Sequence, residues 1–276
     1  PLYSEKILLI GKNSFLSIEL YKNFKKKFYV KKIDFKSIKI KKLEKFDFII
    51  NCSSNKNFLH NKYSKKYDHD YKIAKMIKNT KSKLIFISSR KVYNPKANIQ
   101  ENVKKKPFSN YGKNKFESEK LLYKILKKKL IILRVANILG KPNFISKRKL
   151  HITFVDSFID CISKGYIYNN KNNFKDFITI GHFVKSVEKI IKNNLSGVYN
   201  LSFGKKVYLR DIVKWLTFHN PKKFQIIELG KLKNDANFKS FYLNNKKLKK
   251  KIDINFSYND LKKECFKISK KIFKSI

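Results

Sequence analysis

The chain has 276 residues, 42% of them hydrophobic, and a formal charge of +46 at pH 7. That length makes one large or two smaller domains with enough apolar material for a core, and no apolar run approaches the about 18 residues that a spanning helix needs, which excludes membrane insertion. Only four of the 66 basic residues are Arg (Arg90, Arg134, Arg148, Arg210); the rest are lysines spread from end to end beside many Ile and Asn, a mark of A/T-rich codons that lacks the forked guanidinium contacts of specific nucleic-acid readers.

The segment KILLIG (6–11) reads as a buried strand ending in glycine. SFLSIELYKNF (14–24) follows with helical spacing of Phe15, Ile18, Leu20, Tyr21 and Phe24. FYVKKID (28–34) is a second strand and FDFIINCSS (46–54) a third. YKIAKMIKN (71–79) is helical, KLIFISS (83–89) a strand, KFESEKLLYKIL (115–126) part of a long helix, and LIILRVA (130–136) another strand. Short apolar strands alternating with helices predict a doubly wound parallel sheet with helices on both faces. Beyond residue 140 the rhythm is less regular. Helices are predicted over 151–165, 183–193, 209–216 and 257–273, and strands at YIYN, DFITI, GVYNLS (197–202) and FQIIEL (224–229).

The start PLYSEKILLI has no signal-peptide anatomy. Cys52, Cys161 and Cys265 are odd in number and far apart, with no metal-binding cluster around them. Reduced thiols in a cytoplasmic protein are the expectation, with no metal.

Two features point to a nucleotide. GKNSFLS (11–17) lies between the first strand and the first helix, where a dinucleotide fold places its glycines so that pyrophosphate meets the helix N-terminus. Here the three glycine positions read Gly11, Ser14 and Ser17. Ser14 can still offer a hydroxyl and a backbone N–H, with Phe15 and Leu16 following on the helix; Ser17 would crowd the helix–strand contact. Asp34 ends the second strand about 20 residues on, the position of an acid that bonds the ribose hydroxyls of NAD. Its neighbours Lys31, Lys32 and Lys36 would suit a 2′-phosphate, so NAD is favoured and NADP stays open.

Tyr-x-x-x-Lys occurs six times, starting at Tyr21, Tyr71, Tyr111, Tyr123, Tyr242 and Tyr258. In a chain this rich in lysine the spacing alone selects none of them. One rival to Tyr111 and Lys115 follows the strand-ending Ser53 and Ser54, with Tyr71 and Lys75.

Eight segments in order resemble the extended short-chain dehydrogenases/reductases, the NAD-dependent epimerase/dehydratase family that acts on nucleotide-activated sugars. They are KILLIGKNSFLS, FDFIINCSS, LIFISSRKVY, NYGKNKFESEKLL, LRVANILG, FKDFITIGHFVKSVEKII, GVYNLSFGKKVYLRDIV and LNNKKLKKKIDINFSYNDLKK, and they cover nearly the whole chain. The resemblance implies a Rossmann domain over 1–145, rejoined at about 178–202, and a smaller C-terminal α/β substrate domain over 146–177 and 203–276. It implies Ser89, Tyr111 and Lys115 as the catalytic set. Gly11, Ser14, Phe15, Leu16, Asp34, Asn51, Ser53 and Lys115 would hold the cofactor. Ser89, Lys91, Tyr93, Asn137 and Lys175 would face the substrate, Lys175 standing where many members have a diphosphate-binding Arg. The departures are Ser14 and Ser17 for glycines, Lys175, the Gly181-His182 pair where acids are common, and a short segment between Asp34 and Phe46.

The chemistry fits those types. A tyrosine is a poor base near neutral pH, with an ordinary pKa of about 10, and a lysine one helical turn away favours its phenolate. The implied activity is hydride transfer on a nucleotide sugar by an epimerase or 4-keto reductase, on NAD or NADP. A dehydratase ranks lower, because Arg90 and Lys91 follow Ser89 where an acidic pair is expected. The competing readings are a catalytically weak nucleotide-binding member of the family and, further off, a polyanion-binding protein. A nucleotide sugar is the expected partner, with no membrane and no specific nucleic acid; a homodimer is compatible with the fold.

Overall fold

The hub of the molecule is β1 (Lys6–Ile10), whose residues Ile7 to Ile10 are fully buried, as in a strand covered on both faces. The computed structural model describes residues 5–140, 153–169, 172–220, 225–228 and 239–274. β1 is joined in parallel to β2 (Tyr29–Ile33) on one side and to β3 (Phe48–Asn51) on the other. β4 (Lys83–Ser89) and β5 (Leu130–Val135) continue the parallel pairing outward from β3. The strand Gly197–Leu201 completes a six-stranded sheet beside β5. This is the doubly wound Rossmann-type sheet expected from the alternating pattern.

The helices follow from local signals. α1 (Phe15–Phe24) is capped by Ser14, whose hydroxyl accepts from Ser17 N. Two short helices, α2 (Ile40–Leu43) and α3 (Lys56–His60), come next, and neither was foreseen. α4 (His69–Ile77) is capped by Asp68 and begins two residues before the predicted helix. α5 (Asn110–Leu126) is capped by Ser109 and takes in the whole NYGKNK stretch. On one sheet face Leu8, Ile10, Leu84, Phe86 and Ile132 pack with Ile73, Ala74 and Ile77 of α4 and Leu122 and Leu126 of α5. Each fully buried Leu or Ile of this kind contributes about 1.5–3 kcal/mol.

The chain divides into two compact units. The first comprises Pro1–Tyr93, Lys104–Val135 and Val184–Tyr199; the second comprises Asn94–Val103, Ala136–Phe183 and Asn200–Ile276. In the second, Asn137–Leu139 pairs in parallel with Phe177–Thr179, and Phe174–Lys175 pairs antiparallel with Val207–Tyr208. Tyr166–Asn169 pairs with Gln225–Glu228. The helices Phe154–Ser163, Leu209–Leu216 and Tyr258–Lys274 match predicted ones, and Ile180–Lys192 starts three residues early. Residues 151 and 152 of the predicted helix, and residues 224 and 229 of the predicted strand, lie outside the described residues, as does Arg148. Among the described residues no helix is long and apolar enough to cross a membrane, and no group of His, Cys, Asp and Glu could hold a metal ion.

Candidate active site

In the first unit the chain order reverses between β1 and β3, because β2 lies on the far side of β1. Open α/β sheets bind ligands at such a switch point, beyond the carboxyl ends of the strands. Gly11 leaves β1 with φ +92, a left-handed conformation suited to glycine. A Cβ there would stand 2.9 Å from Ser53 N and 3.1 Å from the Cys52 carbonyl carbon. The ends of β1 and β3 are therefore in backbone contact. Helix α1 starts four residues on, and its first amides, including those of Phe15 and Leu16, have no partner within the helix by geometry. Ser14 spends its hydroxyl as the cap. Ser17 is fully buried, and its Oγ finds no hydrogen-bond partner among the described residues. A polar atom thus sits where a glycine would leave room, the crowding foreseen from the sequence.

Around this turn the other candidate cofactor residues assemble. Asn51 Oδ1 accepts from Ser53 N at 3.0 Å and from Ser53 Oγ at 2.7 Å. Ser53 Oγ also meets His69 Nδ1 at 2.8 Å, which with its proton committed to Asn51 makes the ring nitrogen the donor. The His69 ring stacks on Phe35 with centroids 3.5 Å apart and planes within 6°. Burial and then Lys72 push the His69 pKa down to about 4, so the ring is neutral near pH 7. Asp34 pairs with Lys12 Nζ at 2.9 Å, with both side chains half exposed. A pair so exposed contributes about 0–1 kcal/mol; its effect here is to neutralise the acid. Sequence reasoning missed Lys12, Phe35 and His69. Only the place of Phe35, directly after Asp34, hinted at any of them. The positive-φ glycine, the open helix N-terminus and the acid after β2 fit a dinucleotide.

Ser89 is the last residue of β4 and caps a 3-10 turn over Arg90–Val92, its Oγ accepting from Lys91 N at 3.2 Å. The first turn of α5 packs on that turn so closely that a Cβ on Gly112 would stand 2.2 Å from the Lys91 carbonyl oxygen. This contact sets Tyr111 beside the chain leaving Ser89. The Lys91 and Lys115 ammonium groups lie 5.8 and 5.9 Å from the centre of the Tyr111 ring. Lys115 is 7% exposed. Its Nζ donates to Ile87 O at 2.9 Å and lies 4.6 Å from the centre of the Phe86 ring. The lysines of the other five pairs, Lys25, Lys75, Lys127, Lys246 and Lys262, are all exposed. Lys75 is therefore not held beside Ser53, and the rival set is not assembled.

Tyr93 is 1% exposed, and its hydroxyl accepts from Arg134 Nη1 at 2.8 Å. In the second unit Asn137 is half-buried and donates its backbone N–H to Asp176 O at 3.3 Å. Lys175 is 5% exposed, with Nζ donating to Lys239 O at 2.6 Å, so its charge is turned to the unit's own backbone. Between them Asp176 ties three segments together, accepting from Gly204 N at 3.1 Å and from Leu243 N at 2.9 Å. Burial raises its carboxyl to about 7 against those bonds.

Comparisons with known proteins agree with this frame. The family described as the RmlD substrate binding domain matches residues 5–156. No curated protein sequence matches the chain. Among solved structures, a UDP-N-acetylglucosamine 4-epimerase from Methanobrevibacter ruminantium M1, in complex with UDP-N-acetylmuramic acid, superposes with TM-score 0.80 at 17% identity, covering 99% of each chain. A dTDP-4-dehydrorhamnose reductase from Clostridium acetobutylicum superposes with TM-score 0.73 at 18% identity, covering 97% of this chain and 99% of that one. A UDP-glucuronic acid 4-epimerase from Bacillus cereus, in complex with NAD, gives TM-score 0.74 at 16% identity, with coverage of 97% and 99%. At such identities the likeness is one of fold.

Proposed function

The chain belongs to the RmlD substrate-binding-domain family, within the extended short-chain dehydrogenases/reductases, and from that premise we propose that it is a nicotinamide-dependent epimerase or 4-keto reductase of a nucleotide-activated sugar. The observation that carries the reading is Lys115. Of six equally spaced tyrosine–lysine pairs, the one that follows Ser89 is the one whose lysine is buried, with its ammonium near the tyrosine ring. A buried ammonium beside a phenol needs a reason, because desolvating a charge is costly.

In this reading the first unit holds the dinucleotide together with Ser89, Tyr111 and Lys115. Gly11 and the α1 N-terminus take the pyrophosphate; Asp34 lies at the ribose, with Asn51 and Ser53 beneath the cofactor. Nicotinamide, when bound, supplies the hydride chemistry. Ser89 Oγ orients the substrate oxygen, and Tyr111 gives or takes its proton. Lys115, with Lys91 also near the ring, stabilises negative charge on the phenol oxygen as that proton moves. The Lys12–Asp34 pair leaves NAD and NADP both open, since the acid that would repel a 2′-phosphate is already matched by a cation.

Tyr111→Phe tests the assignment. Turnover of nucleotide sugars should fall by at least about 100-fold, the scale of an acid/base group, while calorimetric titration with NAD⁺, NADH and NADPH gives wild-type affinity. Full turnover in the variant would sink the Tyr111 role. Absence of dinucleotide binding in the wild type would favour a second reading, a family member that has lost its cofactor; the buried Ser17 hydroxyl in the glycine turn is the observation behind it.

A further inference from the structure

His69 touches both ends of the nucleotide turn and has no part in the mechanism above. Its ring lies flat on Phe35, with centroids 3.5 Å apart and planes within 6°. Phe35 follows Asp34, the acid at the ribose in this reading, and packs against the core of the sheet, so the stack is anchored. His69 Nδ1 also lies 2.8 Å from Ser53 Oγ, and Ser53 N is the atom nearest a Cβ on Gly11, in the turn that takes the pyrophosphate. A dinucleotide's base hangs one glycosidic bond from the ribose. His69, joined to the pyrophosphate turn through Ser53 and to the ribose acid through Phe35, therefore stands at the base end of the site. The hydrogen bonds fix its tautomer. Ser53 Oγ donates its proton to Asn51 Oδ1 at 2.7 Å, and Asn51 is oriented by Nδ2, which donates to Ser53 O at 3.3 Å. Ser53 Oγ must then accept from His69 Nδ1–H. The ring carries a single proton, because burial and then Lys72 push its pKa down to about 4. Nε2 is left as a lone-pair acceptor. Among the described residues nothing donates to it, and the ring is only partly buried.

We propose that His69 reads the base of the dinucleotide: Nε2 accepts a hydrogen bond from the 6-amino group of adenine, and the Phe35 stack holds the ring in place for it. The proposal rests on the cofactor reading above. It makes His69 a specificity-determining residue and Phe35 its positioning partner. A 6-oxo purine in the same place sets a second acceptor against Nε2 and leaves both unpaired, which rejects it. The ring cannot become a donor at Nε2 without reversing the Ser53–Asn51 chain.

The test has two arms. In calorimetric titration of the whole chain, whichever of NADH and NADPH binds the tighter is compared with its hypoxanthine analogue, which carries oxygen in place of the 6-amino group. The wild type should prefer the adenine form about tenfold, the worth of one hydrogen bond. In His69→Phe, which keeps a flat ring for Phe35 but no nitrogen, the adenine form should bind about tenfold more weakly and the preference should shrink to within about twofold. His69→Leu serves if that variant does not fold. In protein labelled with ¹⁵N at histidine, the Nε2 resonance that vanishes in the His69 variant should have the position of an unprotonated nitrogen near neutral pH, and the adenine dinucleotide should shift it more than the hypoxanthine one. Equal affinity of the wild type for the two bases, a preference that survives the loss of His69, or a protonated Nε2 in the free protein overturns the proposal and leaves the cofactor reading standing. A wild type that binds no dinucleotide overturns both.

Discussion

Glu119→Ala should unfold the protein or cost about 3–5 kcal/mol in chemical denaturation, the scale of a broken buried ion pair. Glu119 and Arg134 are 4% and 5% exposed and make a forked contact: Arg134 Nε donates to both carboxylate oxygens at 3.0 and 3.2 Å, and Nη2 donates to Oε2 at 2.6 Å. Ser88 Oγ donates to Oε1 at 2.6 Å, and Arg134 Nη1 donates to Tyr93 OH. Burial alone works against the guanidinium's charge; hydrogen bonding and attraction from Glu119 outweigh it and hold Arg134 above its ordinary value. Removing the acid leaves that cation buried and unmatched. Replacing both partners, as in Glu119→Leu with Arg134→Met, should cost far less than Glu119→Ala, because no charge is then stranded. Equal losses in the single and double variants would show that packing, not charge, supplies the stability. The network joins β4, α5 and β5 and includes the residue before Ser89, so partial loss should also loosen the serine.

Gly112→Ala should lose about 1–3 kcal/mol and most of the turnover. In an ordinary helix interior the change gains up to about 1 kcal/mol. Here a Cβ would stand 2.2 Å from the Lys91 oxygen, 3.0 Å from its carbonyl carbon and 3.2 Å from Pro107 Cβ, and two of those are backbone atoms. The helix start must move, at the usual cost of overpacking. Tyr111 moves with it, and a displacement of about 1 Å costs about 100-fold in rate. Gly181→Ala is the control. Its nearest neighbour is Thr179 Oγ1 at 3.9 Å, so the change should be neutral or mildly stabilising by thermal melt. Gly112→Ala with wild-type turnover would mean that the close α5 contact is not what sets Tyr111.

The sequence by itself determined the strands of the sheet, the longer helices and the order of the motifs. Those signals are local. Apolar runs such as KILLI and LIILRV, short and bounded by turn signals, read as strands covered on both faces, and they are. The family resemblance then put Tyr111 and Lys115 on one helix turn, but spacing could not separate that pair from five others.

Only the tertiary structure decided which lysine is buried, because burial depends on chain far away. Lys115 is closed in by Phe58, Phe86 and the Ile87 carbonyl, all from earlier elements. The same holds for Tyr93, whose hydroxyl is taken by Arg134 from β5, and for Lys175, whose charge is turned to Lys239. His69 carried no signal in the sequence: its desolvation comes from the packing of α4 against its neighbours, and no count along the chain contains it.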